Sequence, residues 1–281
     1  MKLLVEPCGK KIDYISKIDG IILALKDYSV ESLCFFTIDD IINIKKNNKC
    51  SVFVKINKNL FNDDISKIKD ILIKLDNIGI DGIFFYDLAI LQLKKELNLS
   101  IDLIWNQTHM VNNYMTCNYY YDKGVKYALL GKEITLDEIR EIINNSKIIS
   151  MVEVVSLPSV AFSKRKLVSN YFSDLGESGP KEIVVQEKIT KDSYNVVEDD
   201  NGTTFFLNKV TNGTSIISDL YKCGCKYIIF REYGIDNFNE LISDTISYIE
   251  DGCIDDNYIN KYRKLGDSTN FFFRKTIYKV K

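Results

Sequence analysis

Seven polar residues carry most of the chemistry this sequence offers: Asn57, Asp87, Asn106, His109, Glu133, Arg231 and Glu232. They supply carboxylates, one imidazole, one guanidinium and two carboxamides, groups suited to proton transfer and hydrogen bonding, and their roles stay open. His109 is the only histidine, and no cysteine or serine stands near it as a nucleophile. Ser163-Lys164-Arg165-Lys166 gathers three cations that suit phosphate binding, though a solvated helix start explains the run equally well. Tyr114, Tyr119, Tyr120 and Tyr121 have rings able to stack on bases, but their helical spacing fits a half-buried helix face better. Cys223-Gly224-Cys225 lacks a second pair nearby, so zinc and iron–sulfur ligation are poorly supported and no metal site is expected. There is no glycine-rich phosphate loop.

These polar positions follow a regular rhythm. The stretch 100–141 shows it best, with apolar Ile101, Leu103 and Trp105 running into Asn106-Gln107-Thr108-His109. A helical segment then ends at Lys123-Gly124, a basic last turn with a glycine stop. A second apolar run, 127–130, delivers Gly131-Lys132-Glu133, and Thr135-x-x-Glu138 is a capping box for the next helix. The same plan recurs with strands expected at 2–5, 20–25, 51–56, 81–86, 148–155 and 227–230. Thr37-x-x-Asp40 caps one intervening helix, and a 3.6-residue stripe from Ile65 to Leu75 marks another. Eight strands with interleaved helices predict a (β/α)8 barrel, with a doubly wound sheet as the alternative. In a barrel, Glu6, Asp27, Asn57, Asp87, Asn106, Lys132, Glu133, Arg231 and Glu232 ring one mouth.

After Ser156 the rhythm breaks. A basic helical piece from Ser163 leads into the loop signal Gly176-Glu177-Ser178-Gly179-Pro180. Short β-rich runs follow at 183–185, 194–197 and 203–207, with Asp200-Asn201-Gly202 as a turn. The expected organisation is a barrel domain over 1–156 and 215–252, an insertion of helix and β-hairpin over 157–214, and a tail over 253–281. The tail, with Phe271-Phe272-Phe273 and a strand at 276–280, is expected to pack on the insertion or the barrel.

Composition bounds the rest. The 281 residues are 46% hydrophobic and 27% charged, enough for a sizeable core with a solvated surface. With 37 basic and 39 acidic residues the net charge is -2, which argues against non-specific, charge-driven nucleic-acid binding and leaves a local patch as the route. No apolar run reaches the roughly 18 to 20 residues of a membrane span, and the N-terminus lacks a signal-peptide layout. The seven scattered cysteines read as reduced thiols used in the core, and the expected location is the cytoplasm.

The ordered segments resemble the U32 peptidase (collagenase-like) family over nearly the whole chain. The likeness rests on Val54-Lys55-Ile56-Asn57, Gly79-Ile80-Asp81-Gly82 and Tyr86-Asp87-Leu88. Trp105-Asn106, Asn112-Asn113-Tyr114, Thr116-Cys117-Asn118-Tyr119 and Lys132-Glu133 are similar to the shorter member of a two-protein subgroup found in Firmicutes. Ser163 to Leu167 and Asn170-Tyr171-Phe172 continue that match, and Val197-Glu198-Asp199 with Asn201-Gly202-Thr203 resembles the family's insertion hairpin. The resemblance implies a component of prephenate-dependent tRNA wobble-uridine hydroxylation, working with a longer U32 paralogue and with tRNA, with Lys164, Arg165 and Lys166 as the anion-binding patch. An endopeptidase and a purely structural subunit are the alternatives. Family members can carry an iron–sulfur cluster, but Val155-Ser156 and Ser159 stand here where the family has His-Gly and then Cys. The strand before the last helix reads Ile229-Phe230-Arg231-Glu232 instead of a Lys-Ile-Glu-Gly run. No cofactor is therefore expected on this chain alone.

Overall fold

The computed structural model describes residues 1–107, 109–268 and 272. The barrel begins with β1 (Lys2–Glu6) and β2 (Gly20–Ala24), joined by turns that bury Tyr14 and Ile18. It continues through α1 (Ile38–Asn47), β3 (Ser51–Ile56), α2 (Asn62–Asn77), β4 (Gly82–Phe85), α3 (Leu88–Glu96), β5 (Asp102–Trp105), α4 (Tyr114–Asp122), β6 (Tyr127–Leu129), α5 (Leu136–Asn145) and β7 (Ile149–Ser156). The chain then makes β8 (Ser159–Ser163), α6 (Leu167–Asp174), β9 (Glu182–Gln186), β10 (Ser193–Asp199) and β11 (Gly202–Leu207). It returns through β12 (Thr211–Asn212), α7 (Ile217–Lys222), β13 (Tyr227–Arg231), α8 (Phe238–Glu250), α9 (Asp256–Tyr262) and β14 (Asp267–Ser268). β13 pairs in parallel with both β1 and β7, which closes an eight-stranded parallel barrel. The (β/α)8 expectation holds.

Alternation along the strands builds two cores. Facing inward, Leu4, Ile22, Phe53, Phe84, Ile104, Leu129, Met151 and Ile229 form a single buried layer, one residue from each strand. Outward-facing residues such as Leu3, Val54, Ile83 and Leu103 pack under the helices in a larger cluster. Two inward glycines make room for the inner layer: a Cβ at Gly82 would approach Ile104 Cδ1 to 2.6 Å, and one at Gly20 would approach Leu4 Cδ2 to 2.8 Å. Thr37 and Thr135 form the capping boxes their spacing predicts, accepting from the Asp40 and Glu138 amides.

The insertion is an antiparallel sheet in the order β8-β11-β10-β9, with α6 against it. One expectation is corrected here. Residues 159–163 form a strand, and the helix starts only at Leu167, so Lys164 and Arg165 lie in the preceding loop and Lys166 at the helix boundary. Pairing with β11 outweighs local helix propensity, since Ser163 stands opposite Thr203 and Phe162 opposite Thr204. Thr203 Oγ1 then holds the loop, donating to the Arg165 carbonyl at 2.8 Å and accepting from the Leu167 amide at 3.0 Å. The expected strand at 276–280 lies outside the described residues, where Phe272 alone of the tail's phenylalanines is placed, buried. No helix among the described residues is long and apolar enough to cross a membrane.

Candidate functional site at the barrel mouth

One step beyond the apolar layer, the same inward positions turn charged. Leu4 is followed by Glu6, Phe53 by Lys55, Met151 by Glu153 and Ile229 by Arg231. Lys132, just after β6, joins them. Lys55 Nζ lies 2.8 Å from Glu6 Oε1, and Arg231 Nε lies 3.1 Å from Glu6 Oε2 and 2.9 Å from Glu153 Oε2. Lys132 Nζ reaches Glu153 Oε1 at 2.9 Å. Ser32 donates to Glu6 Oε1 at 2.7 Å and accepts from Lys55 Nζ at 2.7 Å. The Glu31 carbonyl receives longer contacts of 3.4 Å from both Lys55 and Arg231. Glu31 takes a left-handed backbone conformation (φ 58°), uncommon for a non-glycine residue.

The electrostatics follow from burial and neighbours. Burial opposes ionisation of Glu153, yet Arg231 and Lys132 outweigh it and hold its carboxyl at about 2. Glu6 is likewise held below its ordinary value against burial, by Arg231 and Lys55. Burial and the neighbouring guanidinium push the Lys55 ammonium down to about 8, despite Glu6. Arg231 is held firmly protonated by Glu153 and Glu6. Three cations face two carboxylates, so the floor of the mouth carries one excess positive charge. Each carboxylate is committed to two cations and is a poor base. Lys55 is the member whose proton becomes labile near neutral pH.

Beside this floor, sharing Glu31 with it, a cleft of about 380 Å3 opens between barrel loops and the insertion. Its walls are built by named contacts. Asn57 clasps the backbone of Val30 from both sides, accepting from its amide at 2.9 Å and donating to its carbonyl at 3.1 Å. At the tip of the β10–β11 hairpin, Asn201 Nδ2 donates to the Ser29 carbonyl at 3.1 Å, while Asn201 Oδ1 accepts from Lys58 Nζ at 3.3 Å. Lys58 also donates to the Asp27 carbonyl at 2.9 Å. From the insertion, Lys164 sets its ammonium 3.5 Å from the centre of the Phe61 ring.

The residues singled out from sequence divide by role. Arg231 belongs to the charged floor, and Asn57, His109 and Lys164 line the cleft. His109 Nδ1 stands 3.5 Å from Glu133 Oε1, with both side chains mostly exposed at the rim. Asn106 is buried just after β5, its amide bonded to the Phe85 carbonyl. Asp87 is spent as the N-cap of α3, accepting from the Ala89 and Leu60 amides at 2.9 Å each. Glu232 faces away from the network, accepting from the Tyr14 hydroxyl at 2.7 Å and the Cys8 amide at 3.2 Å. Lys166 lies 3.8 Å from Asp200 at the surface, and Arg165 is exposed. Lys55 and Glu153 were missed from sequence. Their signal was a charge flanked by apolar neighbours within a strand, Val54-Lys55-Ile56 and Val152-Glu153-Val154, a pattern that marks a buried, paired ion.

Among the described residues no three His, Cys, Asp or Glu side chains converge on a metal position, and the cysteines sit in separate elements apart from Cys223 and Cys225.

A closed parallel barrel with its charged groups at the carboxyl ends of the strands, under an inserted antiparallel sheet, defines the class of this molecule. The model of peptidase family U32 matches residues 13–231, and the chain belongs to that family. It is similar to tRNA hydroxylation protein P2 of Bacillus subtilis (strain 168), 27% identical over 269 residues and covering 84% of each chain. An uncharacterised protease of Methanocaldococcus jannaschii is 30% identical over 141 residues, covering 48% of this chain and 33% of that protein. Among solved structures, the U32 peptidase Mk0906 superposes with a TM-score of 0.47 at 13% identity, covering 56% of this chain and 70% of its own. N-(5'-phosphoribosyl)anthranilate isomerase from Pyrococcus furiosus gives a TM-score of 0.47 at 11% identity, covering 89% and 100%.

Proposed function

We propose that this chain is a component of tRNA wobble-uridine 5-hydroxylation, acting in a prephenate-dependent system with a longer U32-family protein. The observation that carries the reading is its similarity, over most of both chains, to a relative named tRNA hydroxylation protein P2. The number in that name suits a system of more than one protein. The charged floor supports a binding and positioning role: its carboxylates are neutralised by cations, and its excess charge is positive, which favours an anionic ligand. RNA is held by the cleft and by the neighbouring cations Lys164, Arg165 and Lys166, against a net charge of -2 for the whole chain. Any cluster the reaction needs is carried by the partner.

Mass spectrometry of tRNA nucleosides from a deletion strain, with and without the gene restored, tests the reading. The expected result is loss of 5-hydroxyuridine-type modification and its return on complementation. Unchanged modification overturns it. Cleavage of a collagen-like peptide by the purified chain would instead support an endopeptidase.

A further inference from the structure

Phe61 is spent on neither the core nor its helix. It occupies the N-cap of α2, a position where an oxygen-bearing side chain normally accepts a backbone amide, and its side chain makes no such bond. Its ring is 51% exposed and faces the cleft. Two cations of the cleft lack a neutralising carboxylate. Among the described residues, Lys164 has no carboxylate within ion-pair distance and rests on the Phe61 ring, and Lys58 is held by two neutral oxygens. An exposed aromatic ring and two unneutralised cations, lining one cleft of about 380 Å3, suit a planar ring that carries an anionic group. That volume sits at the small end of the range for ligand pockets, roughly 300 to 1,000 Å3, and so fits one unit and not a duplex.

We propose that the cleft binds a single unstacked nucleotide, with its base on Phe61 and its phosphate between Lys58 and Lys164. In the free protein the Lys164 ammonium occupies the ring face; on binding, the base takes that face and the ammonium moves to the phosphate. Asn59 and Tyr86, both lining the cleft, supply polar groups for the edge of the base. A base can enter only after leaving its stack, so the nucleotide comes from a single-stranded loop or from free solution. The proposal rests on the tRNA reading and specifies which site would hold the target nucleotide.

The test is fluorescence anisotropy of a labelled, uridine-containing single-stranded RNA on the full chain, with UMP and inorganic phosphate as competitors. Phe61→Ser is the informative variant, because it removes the ring while giving α2 the cap oxygen it lacks. Lost binding in that variant is therefore not lost folding. The expected result is binding weakened about tenfold in Phe61→Ser with an unchanged salt dependence. Phe61→Tyr should keep near-native affinity. Lys164→Gln should lower the slope of log affinity against log salt by about 0.7, the loss of one single-strand phosphate contact. UMP displacing the RNA identifies the nucleotide itself as the ligand, whereas UMP failing where longer RNA succeeds assigns the site to a loop. Native binding by Phe61→Ser, or displacement by phosphate as readily as by UMP, overturns the proposal. The two readings fail separately. Lost tRNA modification in the deletion strain beside native binding by Phe61→Ser removes only the pocket, while ring-dependent binding with unchanged modification removes only the hydroxylation role.

Discussion

Lys55 reaches past the neighbouring strand to set its ammonium 2.8 Å from Glu6 Oε1. β3 and β1 are not adjacent; β2 lies between them, and the residue paired with Lys55 on β2 is Ala24. A methyl group there leaves space for the lysine stem to cross. The contact joins the first and third strands inside the barrel and orders the 29–32 loop through Ser32.

Breaking this network should cost more than its exposed counterparts. Glu153 is fully enclosed and serves both Arg231 and Lys132. Glu153→Ala leaves two largely enclosed cations short of a partner, so the expected loss is about 3 to 5 kcal/mol in urea unfolding. Removing the exposed Lys11–Asp13 pair (3.4 Å) should cost less than about 1 kcal/mol. Equal effects would mean the network is solvated.

The network also sets how stability varies with pH. The folded Glu153 carboxyl, at about 2, lies below its ordinary 4.5, so its contribution is complete above about 4.5 and is lost as pH falls toward 2. Lys55 acts in the opposite sense. Its folded value of about 8 lies below 10.5, so the unfolded chain binds the extra proton between these values and stability gains as pH rises through that window. Urea midpoints of native, Glu153→Gln and Lys55→Met proteins measured across pH check both limbs. An acid limb unchanged in Glu153→Gln, or an alkaline limb unchanged in Lys55→Met, would contradict the assignment.

Asn57 was expected at the mouth as a chemical group, and it stands there as a clasp. Asn57→Ala leaves the amide and carbonyl of buried Val30 without their partners. The expected cost is about 1 to 3 kcal/mol, with faster hydrogen exchange concentrated at residues 27–32. Asn57→Asp loses the donor to the Val30 carbonyl and should not rescue it. Uniform exchange across the barrel would show that the clasp is not local.

Phe61→Ser should leave the stability close to native while emptying the cleft of its ring. A serine at this N-cap adds about 1 kcal/mol, and losing the buried half of the ring removes a contribution of about 1 to 2 kcal/mol. Thermal unfolding reads the balance. A fall in Tm of more than about 10 °C would mean the ring packs more tightly than its exposure indicates.

The barrel was legible because parallel strands covered on both faces leave continuous apolar runs, as in Val52-Phe53-Val54 and Ile83-Phe84-Phe85. That same continuity hid the floor of the mouth. With both faces apolar, nothing local shows that Lys55 and Glu153 point inward, and only closure brings them to Glu6 and Arg231. β8 was hidden for a related reason: its partner Thr203–Phe206 lies far along the chain, and the basic residues after it read as a helix. Asp87 and Glu232 were correctly placed just after strands, yet structural hydrogen bonds claim both, Asp87 at the start of α3 and Glu232 on Tyr14.

The sharing of partners in the network bears on the order in which the chain assembles. Glu6 and Glu153 each have a lysine of their own, and Arg231 is common to both. A half-built chain holding β1 to β7 is therefore already charge-balanced, and nothing repels it while β13 is still undocked. The inserted sheet delays that last strand, since the long 157–226 excursion must be traversed before β13 can pair with β7 and β1. Arg231 then acts as a latch fastened at the end of folding. Arg231→Met should accelerate unfolding and leave the refolding rate nearly unchanged in stopped-flow mixing, and slower refolding would put closure in the rate-limiting step.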